Sequence, residues 1–282
     1  DFRMGASGLG LPIAIFWLML GTASSAASFA NGTWKLAYPP WNESGSPMYG
    51  QPELFIPIMG PITGHGCMPS RYMAMRIAAS HLNRRDASFC PAIAELRHDF
   101  EVKYALQDSH SSGSGAVVAA MKLMEADTQA GRTAGSEEAR VKAVLGPNSS
   151  PEVAGVNPFL GGAFTLPFLS WAATRSEFGN KEVYKYFFRT VAPDSIIMSR
   201  LAGFISWLGY TRVNILYIND QGVSAGQAVD FTAEATATFG MKVERFAVPV
   251  SGGGGSSLKP SAQKQARTHL LTIRSSNARV IG

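Results

Sequence analysis

From residue 54 onward the chain alternates between two hydrophobic rhythms. "LFIPIMGPIT" (54–63) is a continuous apolar run closed by glycine and proline, the pattern of a buried strand ending in a turn. "SRYMAMRIAASHLNRR" (70–85) carries apolar residues at helical spacing, which assigns Met73, Met75 and Ile77 to core packing. "FEVKYALQDS" (100–109) alternates like a strand, and "GSGAVVAAMKLMEA" (113–126) predicts the next helix. After a polar insertion, "DTQAGRTAGSEEAR", the rhythm resumes with a strand in "VKAVLGP", a helix from Ser150, a strand in "TLPFLSWAAT" and an extended piece in "YKYFFRTVAPD". Helix "SIIMSRLAGFISWLG", strand "RVNILYIND", helix "SAGQAVDFTAEATATFG" and strand "KVERFAVPV" follow. "SGGGGSSLKPSAQKQA" (251–266) reads as a flexible linker, and a final helix and strand begin in "ARTHLLTIRSSNARVIG". This alternation predicts an α/β fold of parallel sheets flanked by helices, with ligands beyond the carboxyl ends of the strands. Residues 146–150 and 171–174 lie at such ends.

In "VLGPNSSPEV", Ser150 is placed as a helix N-cap, Pro151 at the first helical position, and Glu152 at the positive end of the helix dipole. A helix N-terminus leaves backbone N–H groups unpaired, and the hydroxyls of Ser149 and Ser150 extend that donor set toward a carboxylate or phosphate. Plain capping accounts for the same residues, so both readings stay open.

The 282 residues are 46% hydrophobic, enough for a substantial core in one large domain or two smaller ones. The net charge is +5, but only 16% of residues are charged and the basic ones are scattered, which argues against nucleic-acid binding. Arg3, the apolar run "LGLPIAIFWLML" and the small residues of "GTASSAASFA" have the layout of a secretory signal peptide cleaved near Ala26 or Ala30, with an uncleaved signal anchor as the alternative. That makes the sequons at Asn31, Asn42 and Asn148 relevant, although a glycan on Asn148 would crowd the serine loop. In an oxidising compartment Cys67 and Cys90 can pair, provided the chain doubles back after an intervening helix about 25 Å long.

Cofactor and metal motifs are not found: there is no Walker A run, no dinucleotide-binding glycine triplet and no zinc-spaced histidine pair, so neither cofactor nor metal is expected. "GVSAG" (222–226) matches a serine-hydrolase nucleophile elbow, with His269 the only later histidine. Its downstream acids, Asp230, Glu234 and Glu244, lie close by rather than at the spacing that fold wants.

"GPNSSPEV", "LSWAATRSEF", "VYKYFFRTVAPDS" and "WLGYTRVNILYIND" together resemble the ligand-binding region of class C G-protein-coupled receptors, such as metabotropic glutamate and gamma-aminobutyric-acid type B receptors. The resemblance extends to receptor guanylate cyclases and leucine-binding-type periplasmic proteins, and covers residues 54–282. It implies a periplasmic-binding-protein type I clamshell: signal peptide 1–30, linker 31–53, lobe 1 at 54–192 and a partial, truncated lobe 2 at 193–282. It further implies a small amino-acid-like, anionic or zwitterionic ligand in the inter-lobe cleft. Ser150 would hold its carboxylate, docked at the Ser149–Ser150 end of lobe 1, Thr174 would contact its amino group, Trp171 would line the cleft, and Asp194 would stand near the crossing to lobe 2. Trp171 as core remains an alternative, and for Asp194 the N-cap of the next helix is an equal one. Two positions depart from the family: Ala172 replaces an expected serine, and "NDQGVSAG" lacks an expected tyrosine. The implied setting is the extracellular side of a plasma membrane, with a homo- or heterodimer through lobe 1 and a G protein or other effector acting through a further C-terminal part. A cyclase ectodomain, a transporter's solute-binding protein and, more remotely, a serine hydrolase are the alternatives.

Overall fold

The computed structural model describes residues 27–30, 33–36, 53–63, 69–96, 100–129, 140–219, 223–249, 260–276 and 279–281. Most of the expected signal peptide, Asn31, Asn42 and Cys67 lie outside the described residues. Strands β1 (Ala27–Ala30) and β2 (Thr33–Leu36) pair antiparallel. The chain separates into two compact units, one running to Trp171 and including Tyr186–Thr190, the other comprising Ala172–Lys185 and the chain from Val191. The segment 172–185 thus groups with the second unit.

In the first unit, β4 (Ile58–Gly60), β6 (Leu106–Asp108), β7 (Val144–Leu145), β8 (Phe168–Ser170) and β9 (Phe187–Arg189) form a parallel sheet in the order β6-β4-β7-β8-β9. Beside it β3 (Glu53–Phe55) pairs with β5 (Glu101–Lys103). β3 and β4 are one run divided at Pro57, which has no N–H to give to a ladder. The pairing carries past it, because the amides of Ile56 and Ile58 donate to the carbonyls of Lys103 and Ala105 at 2.8 Å each. Helices α1 (Pro69–Arg84), α2 (Ala92–Glu95), α3 (Gly113–Gln129) and α4 (Ser150–Asn157) complete the unit, and α4 runs on into a π-helical turn, Pro158–Ala163. Ile58, Met59, Val144, Phe168 and Phe187 are at most 1% exposed, as expected of strands covered on both faces. Met73 and Met75 of α1 join this core, while Ile77 is half-buried. Helices α3 and α4 approach closely because both contribute glycine: a Cβ on Gly155 would sit 2.8 Å from the Cα of Gly113. On the outer side of β5, buried Asn83 stands in for a further strand, its Nδ2 donating to Val102 O at 3.0 Å and its Oδ1 accepting the Val102 amide at 2.8 Å.

The second unit is built on β10 (Arg212–Asn219), flanked in parallel by β11 (Lys242–Pro249) and β12 (Arg279–Ile281). Helices α5 (Asp194–Trp207) and α6 (Val223–Ala237) pack together, and α7 (Pro260–Ser275) packs on β11 and β10. Ala202, Ile205, Val213, Phe231, Ala235 and Met241 form its core. Right-handed crossovers from β10 to β11 and from β11 back past β10 to β12 run in opposite directions, which places α6 and α7 on opposite faces of the sheet. The linker expected through Ala266 ends earlier: the chain is helical from Pro260, where a missing N–H costs nothing.

Candidate functional site

In the order β6-β4-β7 the connection after β4 runs to one side and the one leading to β7 runs back to the other, so the carboxyl ends of β4 and β7 form the switch point where α/β sheets bind ligands. Gly146 ends β7 there, with φ +109° and a would-be Cβ 2.0 Å from Met59 O, so only glycine allows the turn. The serine loop follows one residue out of the expected phase. Ser149, not Ser150, is the N-cap, Ser150 is the first helical residue, and Glu152 at the third position closes a capping box. The Ser149 amide donates to Glu152 Oε2 at 2.6 Å, and the Ser109 hydroxyl donates to Glu152 Oε1. Glu152 and Ser109 are fully buried, Ser150 is 3% exposed, and Ser149 is half-buried. Because Pro151 has no amide and the Val153 amide donates to Ser149 O, the protein's own groups occupy most donors of this helix end.

Asn148 joins three elements at the same edge. Its Oδ1 accepts the Trp171 indole N–H at 2.9 Å and an Arg71 guanidinium N–H. Trp171, 8% exposed, packs over Gly60 at the end of β4. Arg71 of α1 is half-buried, and burial pushes its pKa below the usual arginine value. No carboxylate among the described residues pairs with it. Nothing in the spacing around Arg71 signalled this position, since "SRYMAMR" reads equally well as a solvated helix start. The engagement of Asn148 also disfavours its use as a glycan acceptor.

At the end of β6, Asp108 gathers the β4 loop. Its carboxylate accepts the amides of Ile62 (3.0 Å), Thr63 (3.2 Å) and His110 (2.9 Å) together with the Thr63 hydroxyl, and His110 Nδ1 lies 3.2 Å away. Burial pushes the Asp108 pKa up, but the Thr63 hydroxyl, the Ile62 and His110 amides and the nearby imidazole outweigh it and hold the carboxyl below its ordinary value.

Thr174 and Asp194 stand in the second unit. The Asp194 amide donates to Thr174 O at 2.7 Å, and the buried Asp194 carboxylate accepts from Gln227 Nε2 at 2.9 Å. The N-cap alternative for Asp194 is displaced by one residue: Pro193 is the cap and Asp194 opens the helix. Ser176 serves that helix end instead, accepting the Ser195 amide at 2.9 Å and donating to Asp230 at 2.5 Å. The hydrolase pattern does not assemble. Ser224 Oγ accepts the Ile218 amide at 3.1 Å, while His269 on α7 contacts Ala247 O at 3.1 Å on the opposite face. Cys90 is buried with a free thiol. Among the described residues no group of three or more His, Cys, Asp or Glu side chains is placed to hold a metal, and no helix is long and apolar enough to cross a membrane.

Three comparisons bear on this geometry. Glutamate receptor 3.4 of Arabidopsis thaliana is 29% identical over 115 residues, 41% of this chain and 10% of the relative. An ABC transporter substrate-binding protein from Desulfitobacterium hafniense superposes with a TM-score of 0.54 at 16% identity, over 79% of this chain and 56% of its own, so the two share a fold. The α/β architecture with parallel sheets is thus that of a periplasmic-type binding protein. With the receptor family ligand binding region matched over residues 70–281, the chain belongs to that family of ligand-binding domains.

Proposed function

We propose that this is the extracellular ligand-binding portion of a class C G-protein-coupled-receptor-like membrane receptor, taking a small amino-acid-like ligand whose carboxylate docks in the first unit beside Arg71, Ser149 and Ser150. The observation that carries the reading is Arg71, a half-buried cation with no carboxylate partner among the described residues, at the sheet edge where such folds bind ligands. Held through one nitrogen by Asn148, its planar fork retains donors suited to a carboxylate. The α4 terminus adds less than its sequence suggests, because Glu152 and Ser149 satisfy each other. In the second unit Asp194 opens α5, its amide donating to Thr174 O and its carboxylate accepting from Gln227. Similarity to a protein named as a glutamate receptor favours an acidic amino acid. Ligand binding would shift the domain's population toward a signalling state conveyed to an effector, with a dimer through the first unit.

A solute-binding protein of a transporter is the second reading, favoured by the fold shared with the bacterial substrate-binding protein. Calorimetric titration with L-glutamate, L-leucine and glycine tests the ligand class. At least one should bind, and Arg71→Gln and Ser150→Ala should weaken it tenfold or more with the unfolding midpoint preserved. Unchanged affinity in Arg71→Gln would remove the carboxylate site, and no heat with any α-amino acid would remove the ligand class.

A further inference from the structure

A separate crevice of about 170 Å³ opens within the second unit, between α5, α6 and the carboxyl half of β10. Met198 and Leu201 form one wall, Ala228 and Phe231 the other, and Tyr217 and Gln227 stand among its polar lining. It continues the apolar core upward, since Met198 and Leu201 also pack against the Phe231 cluster below. It lies between β10 and the α5–α6 layer that covers one face of the sheet, open beside the first turn of α6.

Three features set the chemistry of an occupant. Among the described residues no ionised side chain lines the crevice, so a charged ligand would lose its hydration without compensation from them. The size is that of one ring: an apolar cavity of about 150 Å³ takes up benzene, and close packing at about 0.74 leaves room for a single or small fused aromatic. Ser224 in the lining already accepts the Ile218 amide, but two other polar groups are not spent. The Tyr217 hydroxyl has no partner among the described residues, and Gln227 uses only its Nε2, toward Asp194, leaving its carbonyl to accept. We propose that this crevice is a second small-molecule site, for an uncharged aromatic-ring compound carrying one hydrogen-bonding group, of indole or phenol class. It is independent of the anion-receiving edge at Arg71, and the Gln227–Asp194 contact connects it to the start of α5.

The test is a titration of the whole 282-residue chain, labelled with ¹³C in its methionine methyl groups, with indole and, separately, with benzoate. Met198 is the reporter, assigned by Met198→Leu. Indole should move the Met198 signal saturably at millimolar concentration, and benzoate should not. Ala228→Leu, which fills the crevice from α6, and Leu201→Phe, which fills it from α5, should each weaken the indole response at least tenfold with the other methionine signals in place. Arg71→Gln should leave the indole response intact, which separates this site from the amino-acid site. An unmoved Met198 signal, an equal response to benzoate, or an indole response surviving in both filled variants would overturn the proposal.

Discussion

Replacing Glu152 probes how the serine loop is built. Its carboxylate is fully buried and accepts the Ser149 amide at 2.6 Å and the Ser109 hydroxyl. Hydrogen bonds to a charged group contribute about 1.5–3 kcal/mol each, so Glu152→Ala, which strands both donors, should destabilise the first unit by about 3–6 kcal/mol. Part of that is offset, because the variant no longer buries a carboxylate. Glu152→Gln should cost only about 1–2 kcal/mol: its carbonyl can accept the Ser149 amide while its NH₂ donates to Ser109, so shape survives and only charge assistance is lost. Ser109→Ala removes one of the two bonds and should fall between. The order of the three decides the matter more firmly than any single value. Urea unfolding, read alongside hydrogen exchange of amides in residues 150–163 so that the first unit is followed by itself, gives the measurement. A Glu152→Ala cost below about 1 kcal/mol, or a Gln variant as damaged as Ala, would refute the reasoning, since neither fits a doubly bonded buried carboxylate.

Two further outcomes follow from other contacts. Asn83→Ala should cost about 2–4 kcal/mol, since it strands both backbone groups of Val102 on β5, and exchange of the Val102 amide should accelerate with it. Asp108 has a folded pKa held below its unfolded value, so its stabilisation is present above the unfolded pKa and lost as pH falls through the folded one. Denaturation from pH 7 down to pH 2 should therefore show Asp108→Asn less stable than the wild type at neutral pH, with the gap closing in the acid limb. A constant gap across that range would contradict the assignment.

The alternating rhythm made the α/β class and the element order legible, because apolar runs and helical spacing report local burial directly. Element ends were less so. Ser149 and Glu152 stand three apart, the capping-box spacing, and that signal was available in "SSPE"; Pro151 drew the helix start one residue too late. The helix start at Pro260 was likewise expected too late, because a glycine-rich run ahead of it made the whole stretch look flexible. Of the site residues, the serines and Trp171 were visible as strand-end residues, whereas Arg71 was not, since nothing local distinguishes a solvated arginine from one stranded beside an asparagine 77 positions away.

The sequence by itself determined that strands and helices alternate, that apolar runs such as 54–63 become buried strands, and that a loop of glycine, proline and serines ends one of them. Those properties depend on neighbours within a few residues. The tertiary structure alone decided that β7 lies beside β4 rather than β6, which puts the switch point of the sheet at Gly146. It also decided that Asn148 draws Arg71 and Trp171 together, and that the acid expected to favour a helix dipole fills the helix end itself. Strand order and the pairing of distant polar groups depend on which surfaces meet after collapse, and that information is spread over the whole chain rather than held at any one position.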